Sequence, residues 1–201
     1  MTSHTDAETR RSQVADALMS TVAARGLDAT TFRDVAEAAG VSVGLVQRHF
    51  RTRAELVQFG AEITMERTEK RLRNVTIDAP FRQSVFKAVE SLLPLDQSRN
   101  EEFRVALAFF QASLHDSEMA TIHAEGMTRL IDGLTNAFAA AQQAGELAPG
   151  HVPADEARGL IALIDGLSLH AVVTPGAFDP PAIRRMLHSQ LDRVFTIDGS
   201  A

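Results

Sequence analysis

The strongest constraint on the fold comes from residues 31–56, TFRDVAEAAGVSVGLVQRHFRTRAEL, which predict two short helices around a tight corner. Thr31 is a good N-cap, and Asp34 stands three residues later, where a capping box places its acidic partner. Gly40 suits the left-handed residue that ends a helix, and Ser42 then caps a second helix. Because the corner is specified from both sides, the sequence predicts a helix-turn-helix.

The second helix of this pair carries positive charge and no negative charge. No acidic residue stands between Glu37 and Glu55, whereas three arginines and one histidine do: Arg48, His49, Arg51 and Arg53. Gly44 has no side chain that would hold the backbone away from a partner. A helix-turn-helix places its second helix in the major groove, close to the phosphates. The pattern therefore favours DNA binding, although an ordinary helical hairpin with a solvated basic face would carry the same charges.

The corner also has the spacing of a known DNA-binding signature. Its residues are Thr31, Val35, Ala36, Ala39, Gly40, Val41, Ser42, Gly44, His49, Phe50, Arg53 and Leu56. In this order and without a gap, they resemble the signature of the TetR family of one-component bacterial repressors. The resemblance implies a homodimeric repressor that binds a palindromic operator and responds to a small-molecule effector. The expected DNA contacts are Thr31, Ser42, Val43, Gly44, Gln47, Arg48, His49 and Arg53.

Two positions depart from the family pattern. Gln47 stands where the family commonly has a tyrosine that contacts phosphate, and Arg53 stands where a lysine begins the next helix. A glutamine can donate to phosphate or form two hydrogen bonds with adenine. Arginine keeps the charge and offers two donors to a phosphate. The departures bear on contact details and operator sequence, and not on DNA binding itself.

The net charge of −6 is unevenly distributed along the chain. Residues 1–60 hold seven arginines and seven acidic residues, so the whole net charge belongs to residues 61–201. A local basic helix on an acidic body favours docking to DNA by one end.

The remaining sequence predicts helices and no strand, because no stretch alternates at period two between turn residues. The predicted helices run from about Ala7 to Arg25, on either side of Gly40, from Arg53 to Arg73, between Pro80 and Pro94, from Asn100, from the break at Asp116-Ser117 to Ala144, from Pro153 to Thr174 and from Asp179 to Phe195. We therefore expect an all-α fold of about nine helices. The predicted domains are a helix-turn-helix DNA-binding domain (1–52) and a helical effector-binding and dimerisation domain (53–201).

The last two predicted helices are apolar on more than one side, so each must be buried on more than one side. A central core helix in a monomer would show the same pattern. The family resemblance implies instead that both helices pair with their copies across a two-fold axis. The expected interface residues are Leu160, Ile164, Leu167, Ile183, Leu187, Leu191 and Val194.

The middle helices contain most of the phenylalanines, which suit either an ordinary core or the effector cavity that the resemblance implies. The candidate effector contacts are Phe86, Phe109, Phe110, His123, Met127, Asp165, Ser168 and His170. Three short C-terminal stretches, 145–147, 167–175 and 179–195, look similar to the choline-responsive betaine-synthesis repressor subgroup. We do not carry choline over, because a chain without tryptophan and tyrosine lacks the usual cage for a quaternary ammonium.

Several classes of function find no support in the sequence. The absence of cysteine excludes disulfides, zinc-finger ligation and thiol catalysis, and it suits a reducing cytoplasm. No apolar run is long enough for a signal peptide or a membrane span, so we expect a cytoplasmic protein. The spacing of His115, Asp116 and His123 matches no standard metal site. Without a catalytic motif or a cofactor motif, the alternative to a regulator is a helical ligand-binding or adaptor protein without specific DNA binding.

Overall fold

The computed structural model describes residues 2–196, with side chains from Thr9 onward. Within that range the chain forms nine α-helices and no strand, and a single antiparallel bridge joins Leu147 to Phe195. The helices are α1 (Thr2–Arg25), α2 (Phe32–Ala39), α3 (Val43–His49), α4 (Arg53–Arg73), α5 (Phe81–Leu92), α6 (Gln97–Ser113), α7 (Ser117–Gln143), α8 (Pro153–Val173) and α9 (Pro180–Val194). The all-α prediction is confirmed. None of these helices has both the length and the apolar character needed to cross a membrane.

Two predicted helix starts are wrong: α1 begins at Thr2 and not near Ala7, and α6 begins before Asn100. We expected α6 to begin at Asn100, but it begins one turn earlier, at Gln97. The reason is that Asp96 caps it: Asp96 Oδ1 accepts the Arg99 N–H at 2.9 Å, and the Asp96 carbonyl accepts the Asn100 N–H at 2.9 Å. The hydrogen bond from the Arg99 backbone N–H, followed by that from the Arg99 side chain, lowers the pKa of Asp96 below its usual range.

Contacts within the chain define two compact units. The first unit consists of the residues up to Glu66 together with Glu101–Ala124. Its core is built on Leu18, Val35, Val46 and Leu56, all at most 1% exposed. α1, α2 and α3 each contribute to this core, so the helix-turn-helix is anchored from its inner face.

Gly60 marks a close approach inside the first unit. A Cβ atom built on Gly60 would lie 2.4 Å from Phe109 Cζ and 2.9 Å from Leu18 Cδ2. Both distances are too short for any non-bonded contact, so the absence of a side chain is what allows α4 to pack this closely against Phe109 of α6.

The second unit consists of Arg67–Asn100 and the residues from Glu125 onward. Its core joins α5, α7, α8 and α9 around Val85, Phe138, Leu160 and Leu187. α4, α6 and α7 each pass from one unit into the other without a break in the helix. The contact units therefore differ in extent from the two predicted domains, 1–52 and 53–201, and that functional division stays a prediction.

On the surface of the second unit, α5 and α9 are joined by three side-chain contacts in antiparallel register, which we call the α5–α9 ladder. Arg82 Nε donates to Asp192 Oδ1 at 2.8 Å, and Arg184 Nε donates to Glu90 Oε1 at 2.6 Å. Between these ion pairs the rings of Phe86 and His188 stack with centroids 4.1 Å apart. The contacts fall at every fourth residue of each helix, on one face of each.

Candidate nucleic-acid interface

The predicted capping box starts α2. Thr31 Oγ1 accepts the Asp34 N–H at 3.3 Å, and Asp34 Oδ2 accepts the Thr31 N–H at 3.0 Å. Asp34 Oδ1 also accepts from Arg25 at 2.6 Å, which ties the end of α1 to α2. The Thr31 hydroxyl, then the Thr31 N–H and the Arg25 charge hold the pKa of Asp34 below its usual range.

The corner between α2 and α3 has the predicted geometry. Gly40 is left-handed, with φ of 65°, and its N–H closes the end of α2 on the Ala36 and Glu37 carbonyls. Ser42 Oγ then accepts the Leu45 N–H at 3.2 Å and starts α3. Val46 is fully buried, which fixes the face that α3 turns inward. Two caps and one buried side chain thus set both the direction and the rotation of α3.

Gly44, Gln47, Arg48 and His49 of α3 are all exposed, and Gly44 and Arg48 lie on the side opposite Val46. Among the described residues, Arg48 forms no ion pair. Of the other predicted contacts, Thr31 and Ser42 are exposed, but their hydroxyls serve the caps. Val43 is half-buried and packs against the core of the first unit. The structure thus leaves four of the predicted residues exposed on α3, a helix that contains no acidic residue.

Arg53 has a role that the sequence did not reveal. Its Nη2 donates to the Leu27 carbonyl at 2.6 Å and lies 3.8 Å from Asp28 Oδ1. The guanidinium therefore links the start of α4 to the turn after α1. The DNA contact expected from Arg53 stays a prediction, and the side chain would have to serve both purposes.

The eight candidate effector contacts do not form one site within either unit. Phe109, Phe110 and His123 belong to the first unit, and the other five belong to the second. Phe109 is explained by core packing on Gly60. Phe110 and His123 meet edge to face, with centroids 5.1 Å apart.

Ser168 is the most informative of the candidates in the second unit. Ser168 is 1% exposed, and among the described residues its hydroxyl finds no hydrogen-bond partner. A buried hydroxyl without a partner is unfavourable in the structure as it stands. Asp165 and His170 are exposed instead, and His170 stacks on Phe178 with centroids 4.6 Å apart.

A surface groove of about 380 Å³ lies beside the α5–α9 ladder and was not predicted. Arg82, Gln83, Phe86, Lys87, Glu90 and His188 line it. Phe86 was proposed as an effector contact, but its neighbours were missed. The available signal was the recurrence of charged and aromatic residues every four positions in both helices. Among the described residues, no cluster of acidic and histidine side chains could hold a metal ion.

The structure changes the interpretation of the seven residues expected at the dimer interface. Leu160, Ile164, Leu167, Ile183, Leu187, Leu191 and Val194 are all at most 7% exposed within the single chain. They fill the core of the second unit and leave no surface for a partner. The exposed apolar side chains of the same two helices are Leu169 and Val173 on α8 and Met186 on α9.

Comparisons with known proteins match both parts of the chain. Residues 15–58 match the family model of bacterial regulatory proteins of the tetR family, and residues 81–196 match that of the BetI-type transcriptional repressor, C-terminal part. The chain belongs to the TetR family. The resemblance inferred from the signature at the corner is therefore confirmed.

Similar TetR-family proteins span nearly the whole chain. The transcriptional regulator PksA of Bacillus subtilis is 26% identical over 194 residues, covering 96% of this chain and 93% of PksA. The regulator BetI of Burkholderia thailandensis is 30% identical over 192 residues, covering 92% and 93%. A transcriptional regulator from Rhodococcus sp. Rha1 has a solved structure that superposes with a TM-score of 0.82 at 29% identity, covering 92% and 95%. The function is ligand-responsive, DNA-binding transcriptional regulation of the repressor type.

Proposed function

We propose that this TetR-family regulator binds a palindromic operator as a homodimer in the cytoplasm and leaves it when a small molecule binds its second unit. The observation that carries the proposal is the outward face of α3, a helix without acidic residues, where two caps and buried Val46 leave Gly44, Gln47 and Arg48 exposed. One such helix touches few base pairs, and two copies related by a two-fold axis read a palindrome.

The dimer contact that we propose uses the exposed apolar side chains of α8 and α9. Leu169 and Val173 lie one turn apart on α8, 40% and 62% exposed, and Met186 on α9 is 42% exposed. In a two-fold interface these side chains contact the same side chains of the partner subunit, so a small apolar surface is buried on both subunits. This replaces the buried residues first expected to form the interface.

The effector would act by differential affinity. A molecule that binds better to a conformation in which the two α3 helices are wrongly spaced lowers operator affinity by that difference. The unpartnered Ser168 hydroxyl in the second unit supports an effector with a hydrogen-bonding group on an otherwise apolar body. Choline is not proposed, because the chain has no tryptophan or tyrosine.

DNase footprinting on the DNA upstream of the protein's own gene, at two salt concentrations, tests the proposal. We expect a protected palindrome whose affinity falls steeply with salt, because phosphate contacts release counterions. Absence of protection at low salt, on this DNA and on pooled genomic fragments, would instead favour a ligand-binding or adaptor protein without specific DNA binding.

A further inference from the structure

Gly44 has no function in the protein's own packing. Gly40, four residues earlier, is left-handed, and a Cβ atom on Gly60 would collide with Phe109. Gly44 has neither feature: its φ is not positive, and a Cβ atom built on it would meet nothing within 4 Å. A glycine inside a helix is less favourable than an alanine. Its place on the exposed side of α3 leaves room for a molecule outside the chain to approach the helix backbone closely, which a side chain there would hinder.

Arg48 lies one turn after Gly44 on the same face of α3. With 3.6 residues per turn, both point about 160° away from buried Val46, at the centre of the outward face. Helical side chains lean toward the N-terminus, over the preceding turn. No atom of the Arg48 side chain lies within 4 Å of a Cβ position on Gly44, so the surface beside Arg48 on this face of α3 is open to a partner.

We propose that Arg48 reads a guanine through two parallel hydrogen bonds in the major groove, where the open surface at Gly44 lets α3 approach the base pairs, and that Arg48 is not a phosphate contact. The inference rests on the proposed function. A side chain in the middle of the outward face of a recognition helix faces the base edges, whereas side chains at the margins of that face lie nearer the phosphates. The arginine fork matches the O6 and N7 atoms of guanine, and the Arg48 guanidinium forms no ion pair with the described residues.

The test begins with operators selected from random DNA by the wild-type protein. Binding of Arg48→Lys, Arg48→Ala and Gly44→Ala is then measured on the selected operator, and on variants with each base pair changed in turn, across a range of salt. Gly133→Ala is the matched control, since a Cβ atom on Gly133, in α7, also meets nothing within 4 Å.

Arg48→Lys keeps the positive charge but loses the planar guanidinium, whose two donors form parallel hydrogen bonds. We expect it to bind the operator about 10-fold to 100-fold more weakly, with lost preference at one guanine per half-site and an unchanged salt slope. We expect Gly44→Ala to lose operator binding while its thermal stability equals or exceeds that of the wild type, and Gly133→Ala to bind normally.

Two results would overturn the inference while leaving the proposed function intact. In the first, Arg48→Lys binds and discriminates like the wild type, and Arg48→Ala weakens all sequences equally with a salt slope reduced by about one, as for a phosphate contact. In the second, Gly44→Ala binds like the wild type. Failure of the wild-type protein to enrich any sequence would instead overturn the proposed function, and this inference with it.

Discussion

At the scale of single residues, small polar side chains determine where α2 and α3 begin. Thr31, Asp34 and Ser42 satisfy backbone groups that would otherwise lack partners at the helix starts. All three could be assigned from the sequence, because a cap depends on residues no more than three positions apart. The second role of Arg53 could not, since its partner, the Leu27 carbonyl, is 26 residues away in sequence.

Asp34 gives the first prediction. Because its pKa is lowered in the folded protein, its carboxylate stabilises the fold above the usual value of 3.8, and this stabilisation is lost as the pH falls through the lowered pKa. We expect Asp34→Asn to lower the free energy of unfolding at neutral pH and the deficit to shrink below pH 3.8. Urea denaturation of both proteins across this pH range measures the difference in their free energies of unfolding. A deficit of constant size would contradict the assignment.

At the scale of helices, sequence periodicity gave the number of helices and most of their ends, but not what their buried faces contact. The seven apolar residues of α8 and α9 were correctly identified as buried, yet they meet the core of their own unit and not a second chain. Periodicity shows which face of a helix is buried. A core helix in a monomer and a helix in a dimer interface bury the same face, so periodicity does not distinguish them. The effector candidates stay predictions for a similar reason, since aromatic composition alone does not specify a cavity.

Gly60 gives the second prediction, which concerns the packing of α4 on α6. We expect Gly60→Ala to lower the free energy of unfolding by about 1–3 kcal/mol, because the new methyl group overpacks against Phe109. Phe109→Leu should relieve part of this cost in the double variant. Chemical denaturation of the four proteins in the cycle measures it, with Gly133→Ala as the control. Purely additive losses would show that Phe109 does not limit the approach.

The α5–α9 ladder gives the third prediction. Glu90 and Arg184 are partly exposed, so their attraction is screened by water. A double-mutant cycle with Glu90→Gln and Arg184→Gln should yield a coupling energy below about 1 kcal/mol, decreasing further in salt. A larger, salt-independent coupling would mean that this pair is shielded from solvent by a neighbour that the single chain lacks.

At the scale of the whole molecule, the net negative charge and the basic residues of α3 lie in different parts of the sequence. Residues up to 60 are neutral overall, and the net charge of −6 belongs to the remainder. This could be predicted from the sequence alone, because it requires only counting. The partner-facing surface could not, since it depends on which apolar side chains remain exposed after the core is filled.

The fourth prediction compares an exposed and a buried apolar residue. We expect Val173→Asp to produce a folded monomer with reduced operator affinity, because the charge lies in the proposed dimer contact. Leu187→Ala, in contrast, should cost about 2–5 kcal/mol of stability, because Leu187 is fully buried. Light scattering and chemical denaturation separate the two effects. A Val173→Asp protein that remains dimeric would place the interface elsewhere.

The enclosed core of the second unit has a consequence for how subunits are replaced in the cell. Because Leu160, Ile183 and Leu187 are sealed from water within one chain, a subunit that leaves the proposed dimer uncovers the contact formed by Leu169, Val173 and Met186 and not its core. Obligate dimers, whose cores form only on association, lack this intermediate. Newly synthesised chains can therefore exchange into existing dimers without unfolding, and isotopically labelled and unlabelled protein should form mixed dimers under native conditions.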